Sequence, residues 1–250
     1  MRRHILLTLL LIATAVSLQA STPFISHERP SRFIDVELHA LVGGSTVTQN
    51  YTSCFPQISE MDLTLGTAVG AGARACILFS DFIGLGCEAN ILINNYKMSM
   101  AVANDDAMSM TTGFIHNHYY TACFPVFITL NFNLGPVVKW NIDGGMYYTY
   151  GLSGRSKTTL YSARINELGQ LITSSTNEKV SYYNSPETFI TSSYRGDLGL
   201  HLSTGLTFAS HYTLGIQTQI GFKNIAHAYN AIVTPNVHNI NFLCSLGYRF

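Results

Sequence analysis

Along much of the chain apolar residues recur at every second position, the period of a β-strand with one greasy and one polar face. The stretch from Val237 to Phe250 shows it most clearly. Ile240, Phe242, Cys244, Leu246, Tyr248 and Phe250 share one face; Asn239, Asn241, Leu243, Ser245, Gly247 and Arg249 share the other. The same alternation runs through 33–43, 67–79, 82–96, 120–134, 137–149, 197–208 and 212–223. Eight strands are therefore predicted, each long enough for a tilted crossing of a bilayer. Pro125 predicts a local bend or bulge in the fourth, because proline cannot donate to a ladder.

The connections alternate in length. Short ones fall near Ser80-Asp81, Gly135-Pro136 and Ser210-His211; long ones span about 45–65, 97–112, 151–194 and 226–236. Short turns on one side and long loops on the other are the habit of outer-membrane barrels. The expected fold is all-β, an eight-stranded antiparallel up-and-down transmembrane β-barrel over 33–250. Loops are where such scaffolds place function, and 151–194, rich in Ser, Thr and Tyr, is the foremost candidate.

Inward-facing positions carry the charge. Asp35, Glu37, Arg74, Glu88, Asp143, Asp197, His201, Lys223 and Arg249 are expected to form an interior polar network. A turn centred on Asp81 sets Arg74 opposite Glu88, and one centred on Ser210 sets Asp197 opposite Lys223. On closure, Arg249 approaches Asp35 or Glu37. Eight strands leave an interior only wide enough for side chains, and buried charges need partners. Outward aromatics gather at strand ends: Phe79, Phe132, Phe208, Tyr212, Tyr248 and Phe250 at one level, Tyr120, Tyr148, Tyr150 and Tyr194 at the other. Two interfacial girdles are expected.

Composition agrees. Only 11% of the residues are charged, although 47% are hydrophobic; soluble domains carry about 25% charge. No uninterrupted apolar run of about 18 residues follows the N-terminal stretch, which argues against a helical membrane protein. A net charge of zero leaves no basic stripe for nucleic acid. Arg2 and Arg3 followed by apolar Ile5 to Val16 read as an export signal. Cleavage is expected after Ala20, with Ala15 as the alternative, and 21–32 is expected to be a short periplasmic segment. The five cysteines match neither a disulfide framework nor a zinc pattern and read as small apolar wall residues.

The signal, the eight strands, the Cys123-Phe124-Pro125-Val126 segment and the final Leu246-Gly247-Tyr248-Arg249-Phe250 carry a resemblance. From about Phe33 to Phe250 the chain resembles the small outer-membrane β-barrel proteins of Gram-negative bacteria, especially the PorT-like outer membrane protein beta-barrel domain group of Bacteroidetes. The last motif marks the barrel class rather than a subfamily. The resemblance implies residence in the cell outer membrane, contact with its lipid, and recognition of the terminal strand, with Tyr248 and Phe250, by the barrel-assembly machinery. It also implies a non-enzymatic role in binding, envelope assembly or secretion with an envelope protein partner.

Two alternatives stand beside it. His201-Leu202-Ser203 has the His-x-Ser spacing of lipid A deacylases of the PagL type, with His201 as base and Ser203 as nucleophile. That pair points inward here, away from lipid. A small-solute porin is the other, against which a packed interior argues. No cofactor and no metal site is expected; His116 and His118 read as loop residues.

Overall fold

The computed structural model describes residues 23–103, 109–185, 192–227 and 234–250; the export signal, and with it the cleavage site, lies outside them. Ten strands form one sheet: β1 (Ile34–Gln49), β2 (Ile58–Thr64), β3 (Gly66–Leu78), β4 (Ile83–Ala103), β5 (Ser109–Asn133), β6 (Val138–Ile165), β7 (Leu171–Ser181), β8 (Gly196–Phe208), β9 (Tyr212–Gly221) and β10 (Val237–Arg249). One helical turn, α1, covers Tyr51–Cys54.

Eight of these strands close into a ring. β1 pairs with β3, then β4, β5, β6, β8, β9 and β10 follow, each antiparallel to its neighbour. β10 returns to β1, with Glu37 opposite Arg249 at one end and Gln49 opposite Val237 at the other. The protein is thus an eight-stranded antiparallel β-barrel without a free edge in its ring. β2 and β7 stand outside the ring, paired to β4 and β6.

Tight turns fix the registers. Arg74 faces Glu88 between β3 and β4, and Gly199 faces Gly221 between β8 and β9, as turns centred on Asp81 and Ser210 require. The second turn holds Ala209 and Ser210 at φ 48° and 62°, and the His211 amide donates to the Phe208 carbonyl at 3.0 Å. Two consecutive left-handed residues match the right-handed twist of the strands they join. Pro125 interrupts the ladder to β4 between Cys87–Val126 and Asn90–Cys123 without shifting its register. The irregularity in register falls instead at Tyr120/Thr121 against β6, where Leu152 is the extra residue. Beyond it the faces of β6 swap parity, so Ser156 and Thr158 are buried where Thr149 and Tyr147 were below.

The outer wall is apolar and exposed. Val36, Leu38, Ile91, Val126, Ile128, Leu214 and Ile216 all project away from the interior, and Leu246 is 64% exposed. A soluble monomer rarely tolerates contiguous apolar surface beyond a few hundred Å². Aromatic residues border this band: Phe79, Phe208, Tyr212, Tyr248 and Phe250 below, Tyr120, Tyr148, Tyr150 and Tyr194 above.

The upper half of the molecule departs from expectation. The stretches 97–103, 109–112 and 151–165, which the sequence reads as loops, continue β4, β5 and β6 to lengths of 21, 25 and 28 residues. At about 3.3 Å per residue, β6 runs some 90 Å along its path. With β2 and β7 these strands build a five-stranded extension above the apolar band. Its inner face holds Met98, Met100 and Ile115 in a cluster with Tyr51, Tyr96, Tyr119, Tyr182, Tyr183 and Ile225. Its other face, and nearly all of β7, is exposed. On β7 the one-sided apolar pattern that marks the wall strands is missing, because both of its faces meet water.

At the lower rim, residues 23–32 cross the mouth. Phe24 stacks on Phe132 at 5.0 Å, the Asn133 amide donates to the Phe24 carbonyl, the Asp81 amide donates to that of Glu28, and Arg32 donates to the Phe250 carbonyl.

Candidate functional site

The barrel interior gathers Asp35, Glu37, Arg74, Glu88, Asp143 and Arg249 into one network. β3 places Arg74 inward, and Gly70 and Gly72 on the same face leave room for the Leu92 and Asn90 side chains of β4. The Arg74 guanidinium grips Asp143 of β6 with two hydrogen bonds, 2.6 and 2.9 Å, across the lumen. It also lies 3.5 Å from Glu88, donates to Thr129 at 3.4 Å and sits 4.5 Å over the Phe127 ring. Gly86, on the neighbouring strand, makes space for that ring: an added Cβ would stand 2.3 Å from it. A planar fork over an aromatic face, with a carboxylate on each side, is a setting for arginine rather than lysine.

From there the network runs down the wall. Asn90 donates to Glu88 at 3.0 Å and bonds His39 Nε2 at 2.8 Å. His39 lies 3.8 Å from Glu37, which accepts from Thr213 at 2.8 Å. Arg249 reaches Asp35 at 3.3 Å and Glu37 at 3.7 Å, so the seam between β1 and β10 is pinned from inside. Asp197 stands higher and apart from these arginines, held by the Tyr147 hydroxyl at 3.1 Å and Asn239 at 2.9 Å.

Asp35, Glu37, Arg74, Glu88, Asp143, Asp197, His201 and Arg249 thus all face the interior. Lys223 does not. It lies beyond the end of β9 and is exposed, and among the described residues no ion pair joins it to Asp197. The register extends correctly, but past Gly221 the chain has left the wall and a long cation turns to water. Uncharged members of the network, His39, Asn90, Thr129, Tyr147, Thr213 and Asn239, were no part of the charged set read from the sequence. Strand parity is the signal for them. Tyr147 is the least expected: it points inward between outward Met146 and Tyr148, over Gly199.

The His201–Ser203 pair takes no catalytic arrangement. The Ser203 hydroxyl donates to Asp143 at 2.5 Å, and neither ring nitrogen of the fully buried His201 has a protein hydrogen-bond partner among the described residues. His201 packs against Phe127 at 5.5 Å. His201 therefore does not address the hydroxyl, and both residues face the barrel interior.

A void of about 30 Å³ beside Glu37, His39, Arg74, Glu88 and Gln217 has room for roughly one or two waters. A larger cavity of about 190 Å³ lies at the lower mouth, lined by Arg32, Asp35, Asp81, Lys139 and Arg249. At the top, Tyr119 and Tyr182 stack at 4.5 Å and the Tyr96 and Tyr182 hydroxyls meet at 3.1 Å. Tyr182 and Tyr183 follow directly on β7 and pack into the upper apolar cluster.

The terminal aromatics sit on the outer wall at the closing seam. Tyr248 packs edge-on against both Tyr212 and Phe250, and the Phe250 amide donates to the Val36 carbonyl at 3.0 Å. Of the cysteines, Cys76 and Cys123 are buried, Cys87 and Cys244 are exposed on the wall, and all five are free.

The fold and interior define a closed β-barrel filled by its own polar side chains. No protein-family model matches the chain, and no curated protein matches it in sequence. Among solved structures, the chain is similar to Ail, the attachment invasion locus protein of Yersinia pestis, at 12% identity over 86% of this chain and 98% of that one, with a TM-score of 0.35. It is similar to Neisserial surface protein A at 11% identity, covering 88% and 98%, TM-score 0.34. It is also similar to the outer membrane protein OprG from Pseudomonas aeruginosa at 10% identity, covering 90% and 98%, TM-score 0.32.

Proposed function

We propose that this protein is a non-enzymatic β-barrel of the bacterial outer membrane, closed to solutes, which acts through its outer extension or its wall in binding, envelope assembly or secretion. The observation that carries this reading is the inversion of its surfaces: a continuous exposed apolar wall around a buried, hydrogen-bonded polar interior. In water that arrangement is unstable; in a bilayer every backbone group is paired and the greasy face meets lipid. Outer-membrane barrels assemble from the periplasm, so an export signal in residues 1–20 and periplasmic placement of 21–32 belong to the same reading. So does contact of β10, with Tyr248 and Phe250, with the barrel-assembly machinery. The PorT-like affinity belongs to the same proposal and rests on the signal, the eight strands, the Cys123-Phe124-Pro125-Val126 segment and the final five residues together.

Refolding into phosphatidylcholine vesicles tests this directly. The folded barrel should migrate differently from the boiled chain on gels, and planar bilayers containing it should show no large, stable conductance steps. A chain that stays in the aqueous fraction sinks the membrane reading; porin-sized steps sink the closed interior.

A further inference from the structure

The outer face of the extension carries a row of cations that the barrel itself does not use. Lys97 on β4 lies opposite His116 on β5, His116 opposite Lys157 on β6, and Lys157 opposite Lys179 on β7. One step nearer the apolar band, His118 lies opposite Arg155. All six side chains are exposed. Like charges directly opposite on neighbouring strands repel, yet here they fill positions on four adjacent strands. Among the described residues none of Lys97, Arg155, Lys157 and Lys179 is in an ion pair. Among the described residues the acidic ones on this face, Asp62 and Glu60 of β2, stand opposite Ser99 and Ala101, on the side away from the band. Glu178 belongs to the other face of β7.

The level of the row is informative. The top of the apolar wall on these strands is Ile93 opposite Tyr120, with Tyr150 and Leu152 on β6. His118 and Arg155 follow two residues above, and the lysines four residues above. At about 3.3 Å per residue and a tilt near 40°, that is a rise of roughly 5 to 10 Å. The polar zone of one leaflet is about 5 to 7 Å deep, so Arg155 lies within it and the lysines stand just above it, from where their long stems reach down to it. Between β6 and β7, Gly154, Arg155, Lys179, Val180 and Ser181 line a depression of about 390 Å³, so two of the cations flank a recess rather than a flat sheet.

We propose that Lys97, Arg155, Lys157 and Lys179 form a binding site for the phosphate groups of a glycolipid in the leaflet that surrounds the upper barrel. The proposal rests on the membrane reading above. Arginine supplies paired donors to a phosphate and the lysines supply charge. A bound phosphate offsets the mutual repulsion of the row, which explains why a folded sheet keeps it. His116 reports on the same site. Partial burial and the charges of Lys97 and Lys157 hold its imidazole below the usual histidine range, and an anion among them raises it.

The test uses the refolded full chain in zwitterionic micelles, with binding measured by native mass spectrometry against diphosphoryl lipid A, its dephosphorylated form and soluble inorganic polyphosphate. The intact protein should prefer the diphosphoryl lipid to the dephosphorylated one. The triple variant Lys97→Gln/Lys157→Gln/Lys179→Gln should bind the diphosphoryl lipid on the order of 100-fold more weakly, at roughly fivefold per cation. Glu60→Gln/Asp62→Asn should bind at least as well as the parent. By NMR the His116 pKa should rise when the lipid is added. Equal affinity for both lipids, or undiminished binding by the triple variant, overturns the site. Tighter binding of polyphosphate than of the lipid overturns the lipid as its occupant. Gel mobility after refolding reports membrane insertion separately, so failure of the barrel reading is not confused with failure of this one.

Discussion

Arg74 and Asp143 meet across the lumen, from strands that are not neighbours, through two hydrogen bonds of 2.6 and 2.9 Å. Glu88, the residue directly opposite Arg74 on the adjacent strand, is the more distant carboxylate at 3.5 Å. The pair therefore ties one side of the ring to the other. Arg74→Met leaves two buried carboxylates without their cation and should cost about 3–5 kcal/mol of unfolding free energy. Asp143→Asn should cost less, since Thr129 and Glu88 still serve the guanidinium. In a double-mutant cycle of urea unfolding from vesicles, the two changes should couple by about 2 kcal/mol. Strict additivity would show that the contact contributes nothing of its own.

Ser203→Ala separates a structural hydroxyl from a nucleophile. The hydroxyl donates to the buried Asp143 carboxylate, so its loss should destabilise the barrel by about 1.5–3 kcal/mol. The acyl pattern of lipid A from cells carrying the variant, read by mass spectrometry, should equal that of cells with the parent. A pattern that changes only when Ser203 is intact would restore the hydrolase.

These two residues also show where sequence reasoning stops. Arg74 opposite Glu88 is legible, because a tight turn at Asp81 fixes the register and parity does the rest. Asp143 as the principal partner is not, since cross-lumen contacts depend on the tilt and stagger of the closed ring. Lys223 has the right register for Asp197, but the strand ends at Gly221 and register says nothing about where a strand ends. The upper parts of β5 and β6 were hidden for a related reason. Stretches such as Lys157-Thr158-Thr159 have no apolar face, so the strand is held by its partners rather than by one-sided burial. The Lys97–His116–Lys157–Lys179 row becomes visible only once those partners are known.

The β8–β9 turn offers a stabilising change. Ala209 adopts φ 48°, a left-handed conformation that costs an L-residue with a Cβ about 1–2 kcal/mol. Glycine adopts it freely, at the expense of extra freedom in the unfolded chain. Ala209→Gly should therefore raise the urea midpoint by the equivalent of about 0.5–1 kcal/mol, while Ala209→Val should lower it. A fall with glycine would mean that the turn relaxes elsewhere in solution.

The far end of the extension should be dispensable for the barrel. Tyr161 faces Ser175 across the β6–β7 ladder. Replacing 162–174 by Asn-Gly closes that hairpin with a two-residue turn of the favoured type. The shortened chain keeps Leu160, Val180, Tyr182 and Tyr183, which belong to or pack against the upper apolar cluster and its surroundings. It also keeps the whole ring and all four cations of the row. The variant should refold into vesicles with the parent's heat-dependent gel mobility and a urea midpoint close to the parent's. Loss of folding would show that the tip of the hairpin supports the wall. A further deletion that removes Lys157 to Lys179 should still refold, but with weaker binding of diphosphoryl lipid A, because it takes two of the four cations with it.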